Sequence, residues 1–324
     1  MIQVIIPTYN REVCIQNFIT QSIVPYVGKL FNFLILDSST NDITNKICVK
    51  CNSKKLKYRR IDSKVQPDDK VIKAIMNCTD EYYWLLGDGN LVNFNEIERL
   101  FLLYDFNKFD ILEVDSDKSK RRGTNESDKF IIRDDLINYI ASNFTYLTYW
   151  GSSIIKTKRA KDFFLNGTMN KYRQDSLSWW SSCIICEMIS LDFQNNTLTP
   201  IVSLYTKYIK GNPGKTDHSW AKGEKYYYTT FEVFNRDVAL LPSMFSNVKN
   251  EIIKNFRDDE LVSKRYLIKL KIRGVLTPKY IIKYKKEINI IKGYYGLMLF
   301  IAYVPDFLLI SLVNIYKLLK KVIK

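Results

Sequence analysis

The sequence predicts an α/β fold in which a mostly parallel central sheet is covered by helices on both faces. Three observations predict it. Strand-like runs recur at 2–6, 31–36, 57–61, 82–86 and 109–114, most of them apolar without polar alternation, as strands buried on both faces are. Helix-like stretches at about 12–24, 43–52, 68–78 and 94–104 separate them, and that rhythm implies parallel strands joined by crossover helices. Three of the runs stop in short polar turns, at Pro7, Asp37 and Asp88, which puts ligand-type residues at the carboxyl ends of strands, where open α/β sheets bind.

Taken in order, the first run ends at Pro7, which lacks an N–H donor and is expected to end the ladder. Thr8, Tyr9, Asn10 and Arg11 form the turn that follows. The second run delivers Asp37 and then Ser38, Ser39, Thr40 and Asp42, which either face a ligand or cap the next helix; for Asp42 the cap is expected. The third ends at Arg59-Arg60-Ile61-Asp62, and Lys70 and Lys73 on the next helix either steady a phosphate or form its solvated face. The fourth releases Gly87-Asp88-Gly89-Asn90; glycines on both sides of Asp88 let the loop approach a ligand closely. The fifth enters the charged stretch 115–127, expected to be a surface loop that includes the literal Asp-x-Asp of Asp115 and Asp117. No Gly-x-Gly-x-x-Gly follows the first strand, so a dinucleotide fold loses its main signature.

Beyond residue 128 the pattern is mixed. Tyr149–Ile155 reads as a turn into a strand, 175–189 as a helix, Gly211–Lys215 as a loop and 224–241 as an aromatic-rich helix. Cys48/Cys51 and Cys183/Cys186 have the spacing of a four-thiolate zinc site, but neither pair has a Gly or Pro knuckle. Small buried residues on two helices is the reading taken.

The 324 residues carry a net charge of +15, which favours an anionic partner. Residues 265–324 hold 13 Lys/Arg against two acids, leaving +4 for the first 264. The basic segment includes a 23-residue apolar run, 294–316, interrupted by Pro305-Asp306. A charge at the bilayer centre costs about 2.5–3.5 kcal/mol, so two short interfacial helices broken at Pro305 are expected rather than a span. The alternative is a C-terminal helix packed on the body. Met1-Ile-Gln runs straight into the first strand, so no signal peptide is expected. A cytoplasmic body attached peripherally to the cytoplasmic face of the cell membrane follows from these readings.

Val4-Ile-Ile-Pro-Thr-Tyr-Asn-Arg11, Leu36-Asp-Ser-Ser-Thr-Asn-Asp42 and Trp84-Leu-Leu-Gly-Asp-Gly-Asn90 together resemble a family 2 glycosyltransferase of the GT-A fold, of the type that builds bacterial cell-surface polysaccharides. The resemblance implies a nucleotide-sugar half at 1–115 and an acceptor-side half at 116–242, beside residues 243–324, which are read from their composition as a helical, basic, membrane-associating region. It implies that Pro7, Thr8, Tyr9 and Arg11 line the nucleotide pocket and that Asp37, with Ser39, contacts the nucleoside. Asp62 and Lys70, at the third strand's end and on the helix after it, are further candidates for the nucleotide sugar from their position alone. Asp88 takes the metal–diphosphate position, with Asn90 where the family has a second acid, and Mn²⁺ or Mg²⁺ as the cofactor. Asp175 falls where the family keeps its catalytic base, with Gln174 in place of a companion acid. For the segment around the lone histidine, either His218 is a metal ligand, or Lys215 and Trp220 lie near the diphosphate.

The expected function is inverting transfer of one sugar, hexosyl or N-acetylhexosaminyl, from a nucleotide donor, a UDP-sugar first, to a glycan acceptor of the polyprenyl-diphosphate-linked kind. A non-catalytic nucleotide-sugar-binding module is the alternative, motivated by Asn90 and Gln174. A basic nucleic-acid binder is the lesser one: the sequence has no reader motif and its charge sits on an apolar tail, so no nucleic acid is expected as partner.

Overall fold

The computed structural model describes residues 1–116, 129–173, 179–214, 223–257 and 260–311. The chain alternates β1 (Ile2–Thr8), α1 (Glu12–Phe18), β2 (Phe31–Asp37), α2 (Ile43–Cys51), β3 (Leu56–Arg60), α3 (Pro67–Met76) and β4 (Tyr82–Leu85). It continues through β5 (Asn90–Val92), α4 (Phe94–Leu103), β6 (Ile111–Ser116), β7 (Lys129–Ile132), α5 (Leu136–Leu147), β8 (Ser153–Lys156) and α6 (Thr157–Leu165). Then come α7 (Trp180–Gln194), β9 (Ile201–Thr206) and β10 (Ile209–Gly211).

Eight strands form one sheet in the order β3-β2-β1-β4-β8-β6-β9-β7. β1 to β4 are mutually parallel, β8 is antiparallel to β4 and β6, β9 is parallel to β6, and β7 is antiparallel to β9. β1, β2, β3, β4, β6 and β9 therefore release the chain at one rim. β5 and β10 make a separate antiparallel pair.

Pro7 does not end β1: it pairs with Leu36, and Thr8 pairs with Asp37. The physical reason is orientation. In a parallel strand each residue turns its N–H and C=O to one neighbour. Ile5 faces β4, accepting from the Leu86 N–H at 2.9 Å, and Thr8 faces β2, accepting from Ser38 N–H at 3.1 Å. Pro7 faces β4 again, but the ladder to β4 ends at Ile5–Leu85, so its missing donor has no acceptor to serve.

Phe94 at the start of α4 anchors the core. Its ring lies 4.8–6.2 Å from those of Phe18, Tyr26, Phe31, Phe33 and Trp84, a cluster worth more than its area burial alone. α1 runs on into a wide π-helical turn, Ile19–Ile23, which sets the Ser22 hydroxyl to accept from the Val92 N–H of β5 at 2.9 Å.

The chain divides into two compact units: residues 1–139, 146–176 and 180–216, and residues 140–145, 177–179 and 217–324. The second holds α8 (Glu224–Tyr227), α9 (Phe234–Ala239), α10 (Lys249–Phe256), α11 (Lys264–Ile272), α12 (Pro278–Lys283), α13 (Lys285–Asn289) and α14 (Tyr294–Tyr303). The stretch expected as one helix over 224–241 is α8 and α9 joined by a π-helical turn, Tyr228–Val233. The helix expected over 175–189 is α7, with residues 174–178 outside the described ones. Phe234 and Phe256 stack at 4.1 Å, Trp179 meets both edge-on at 5.1 and 5.7 Å, and Asp237 accepts from the Trp179 backbone N–H at 2.7 Å. α14 stops at Tyr303, Val304 is extended (ψ 130°) ahead of Pro305, and helix resumes over 306–311; a residue before proline is pushed out of the helical region. Among the described residues no helix is long and apolar enough to cross a membrane.

Candidate active site at the strand rim

The pairing of Thr8 with Asp37 and of Ile5 with Leu85 brings the ends of β1, β2 and β4 to one place. Asp88 follows β4 by three residues and is buried. One of its carboxylate oxygens accepts from the Thr8 hydroxyl at 2.8 Å. The other pairs with the Arg11 guanidinium. Arg11 stands at the N-terminal boundary of α1, so the last residue of β1 and the turn after it supply the two partners. Arg11 is thus not a surface arginine.

Asp37 is fully buried beneath this rim. Its carboxylate accepts from Ser39 N–H at 2.8 Å, from the Tyr58 hydroxyl at 2.8 Å and from Arg60 at 3.2 Å. Two carboxylate oxygens offer about four acceptor sites, so this arrangement leaves capacity for a further donor. Ser39 in turn accepts from Asn10 N–H at 2.8 Å. Asn10, in the left-handed region at φ 49°, accepts from Thr40 N–H at 2.9 Å, so the turns after β1 and β2 are stitched together. Asp42 sits at the expected cap of α2, but its side chain makes no cap bond. Asn41 accepts from Ile43 N–H at 3.0 Å instead, and Asp42 faces Arg60 at 3.5 Å.

Lys70 is buried and donates to the Ser38 hydroxyl at 2.8 Å. Burial pulls its pKa down, and the Asp62 and Asp37 carboxylates pull it back up. Of the two lysines on α3, only Lys73 is exposed as a solvated face would be. Asp62 is exposed, folded onto Lys64 N–H at 2.8 Å, and Tyr9 is exposed as well.

Two supports of the Asp88 loop escaped the sequence reading. Asn212, just past β10, is buried and uses its whole amide. It donates to the carbonyls of Cys14 at 2.8 Å and Asp88 at 3.0 Å, and accepts from Asn17 at 3.1 Å and Gly214 N–H at 3.0 Å. The pairing of Gly211 with Asn90 brings it there. Gly151 is the second: at φ 111° it suits glycine, and a Cβ there would lie 3.2 Å from Leu86 and 3.4 Å from the Asn90 amide. An Asn-Pro-Gly turn was visible as the signal for the first, whereas nothing in sequence tied the 149–152 turn to residue 90.

The literal Asp-x-Asp requires a correction. Asp115 is no loop residue: it lies in β6, pairs with Tyr205 and is buried, while Asp117 is outside the described residues. A run of charged residues signals a loop but not where the strand stops. Its carboxylate is close enough to the half-buried Tyr146 to help hold that phenol well above its ordinary pKa, after desolvation itself. The cysteine pairs lie on α2 and α7, all free thiols. Asp175, Lys215, His218 and Trp220 lie outside the described residues.

Asp88 offers a cation one hard carboxylate, with the Asn90 amide two residues on, and among the described residues no group of three or more His, Cys, Asp or Glu gathers around a point. That set suits a Mg²⁺- or Mn²⁺-type ion that keeps its waters and takes substrate phosphates as further ligands. The ion would have to share or displace Arg11.

The Glycosyl transferase family 2 model matches residues 3–179. No curated protein matches the chain. Among solved structures, S. aureus TarS 1–349 superposes with a TM-score of 0.55 at 13% identity, over 92% of this chain and 82% of that one. The same protein in complex with UDP-GlcNAc gives 0.55 at 14%, over 92% and 83%. The mannosyltransferase PcManGT from Pyrobaculum calidifontis, in complex with GDP-Man and Mn²⁺, gives 0.51 at 11%, over 98% and 87%. At such identities the likeness is one of fold, and the fold is GT-A. With the family model covering more than half of its length, the chain belongs to glycosyltransferase family 2.

Proposed function

We propose that this glycosyltransferase moves a single sugar from a UDP-sugar to a glycan acceptor with inversion at the anomeric carbon. The observation that carries the reading is the buried Asp88 carboxylate, held by Thr8 and Arg11 at the strand rim where Asp37 also ends. Asp37 accepts from the nucleoside, its place already prepared by Ser39, Tyr58 and Arg60. Lys70 steadies the Ser38 turn next to it. Arg11 supplies positive charge where the departing diphosphate gains negative charge. Asp88 and Asn90 would hold Mn²⁺ or Mg²⁺, which when bound neutralises diphosphate charge. Complexes of fold relatives with UDP-GlcNAc and with GDP-Man and Mn²⁺ support the donor class and the cation.

Asp175 is the proposed base, taking the acceptor hydroxyl proton as the new bond forms, a contribution of ~10²–10⁴-fold. Of the acceptors, a polyprenyl-diphosphate-linked glycan suits the basic, apolar C-terminal segment best, since such a carrier is both anionic and membrane-bound.

The test is calorimetry of UDP with the full chain, with and without Mn²⁺, beside product mass spectrometry from a panel of nucleotide sugars. Binding that Asp88→Ala weakens, together with a product of one added sugar, supports the reading. Absence of UDP binding with activity unchanged in Asp88→Ala overturns it, and inactivation by Asp115→Ala alone would move the diphosphate site to β6.

A further inference from the structure

We infer that the second unit carries a docking surface for an anionic lipid bilayer, formed by the outer face of α14 and the turn of helix after Pro305. α14 reads Tyr-Tyr-Gly-Leu-Met-Leu-Phe-Ile-Ala-Tyr and is apolar around its whole circumference. A helix of that kind is normally covered on all sides. Here Tyr294, Met298, Ile301 and Ala302 are buried, while Phe300 and Tyr303 are each 69% exposed. Exposure continues past the proline break, with Phe307 66% exposed and Leu308 and Ile310 nearly half exposed. Phe300 and Tyr303 are one turn apart on one face of α14, and Phe307 is exposed on the helical turn that follows the break.

Charge identifies the occupant. Residues 265–324 carry a net charge of +11. Lys269, Lys279, Lys283, Lys285, Lys286 and Lys292 are exposed on or beside α11 to α13. Lys285 stands 5.4 Å from the Tyr295 ring centre, at the flank of α14. Of the two acids in the segment, Asp306 is paired with Lys271 at 3.3 Å. Exposed basic side chains on the helices that pack against α14, together with its exposed aromatic and aliphatic ones, complement an anionic headgroup layer over hydrocarbon. Ten helical residues extend only about 15 Å against a hydrocarbon core of about 30 Å, so this element lies in the interface rather than crossing it. Attachment would be peripheral, at the cytoplasmic face, and the inference does not rest on the reading of Asp88.

The experiment is flotation of the full chain with phosphatidylcholine vesicles, with and without phosphatidylglycerol. The wild type is expected to float with the anionic vesicles only. The combined Phe300→Ser, Tyr303→Ser and Phe307→Ser variant is expected to lose roughly tenfold or more in partitioning, with its far-UV circular dichroism unchanged. Lys285→Glu with Lys286→Glu is expected to lose about fivefold or more, and to flatten the dependence on anionic lipid. Should the triple variant fail to fold, Phe300→Trp replaces it, and quenching of the new indole by brominated lipid is the expected result. Wild-type protein that stays with the pellet, a folded triple variant that floats as well as wild type, an indole in the Phe300→Trp variant that brominated lipid leaves unquenched, or a surface whose loss only converts a dimer to monomers would overturn the inference.

Discussion

The Arg11 guanidinium meets the Asp88 carboxylate across 77 residues of chain, and Thr8 holds the other oxygen of the same group. On the proposed function, a diphosphate donor and its cation would compete for these two charges. Asp88 is the buried member and Arg11 the more exposed one, with side chains 2% and 23% exposed. Removing Arg11 leaves a buried charge behind, the expensive direction of breaking a pair. Removing Asp88 lets the guanidinium turn to water. Arg11→Met is therefore expected to lower stability by about 1–3 kcal/mol, below the fully buried case because Arg11 is partly solvated, and Asp88→Asn by less. Mn²⁺ should restore the melting temperature of Arg11→Met more than it raises that of wild type, because the ion takes the vacated place. Thermal melts with and without Mn²⁺ decide it; equal shifts in both proteins would remove the cation from Asp88.

Asn212 is the second point of leverage. Its amide joins α1, the Asp88 loop and its own turn through four hydrogen bonds. Asn212→Ala strands buried donors and acceptors and is expected to cost about 2–4 kcal/mol. Because it acts on the Asp88 backbone, turnover should fall further than UDP affinity does. Kinetics of the variant at a temperature where it is folded would show this, and a change confined to KM would rule out a positioning role.

Much of this was legible beforehand. The strands expected at 2–6, 31–36 and 82–86 are β1, β2 and β4 within two residues, because strands covered on both faces declare themselves as unbroken apolar runs. Register was not: Pro7 was expected to end the ladder, and the structure carries it on to the Thr8–Asp37 pair. The sheet's other half was legible in part: the run expected at 109–114 is β6 and the turn into a strand over 149–155 leads into β8. That β8 is antiparallel was not visible in four residues, β7 and β9 were not expected, and Asp115 read as loop because it adjoins a charged run. Side-chain pairing lay beyond sequence altogether. Arg11 and Asp88 belong to separate motifs, and only the rim makes them partners.

Asp37 offers a test of how the nucleoside is held. Tyr58 and Arg60 share one carboxylate oxygen, and Ser39 N–H occupies the other. Asp37→Asn substitutes a donor for an acceptor in the middle of this set. It should weaken UDP binding by roughly tenfold or more and destabilise the β2–β3 rim. Tyr58→Phe removes one donor and frees an acceptor site, so UDP affinity should hold or rise. Calorimetry on the pair separates a ligand contact from a structural one: parallel losses in both variants would make Asp37 a purely structural residue.

The cysteines give a check that needs no substrate. Cys14, Cys48, Cys78, Cys183 and Cys186 are buried and Cys51 is half-buried. Burial, then the nearby Asp37 and Cys51, pushes the Cys48 thiol up from its ordinary 9.0 to about 12. An inert thiol follows: iodoacetamide at mild alkaline pH should modify at most Cys51 in the native chain and all six cysteines in denaturant. The sign of the linkage is set by a folded-state pKa above the unfolded one. The contribution to stability is complete below about 9, where the thiol is protonated in both states, and is lost as pH rises through the folded value near 12. Denaturant midpoints should therefore fall over that alkaline window, and Cys48→Ser, a smaller side chain with no titration there, should fall less steeply from a lower start. Rapid alkylation of Cys48 in the folded chain would contradict both its burial and its raised pKa.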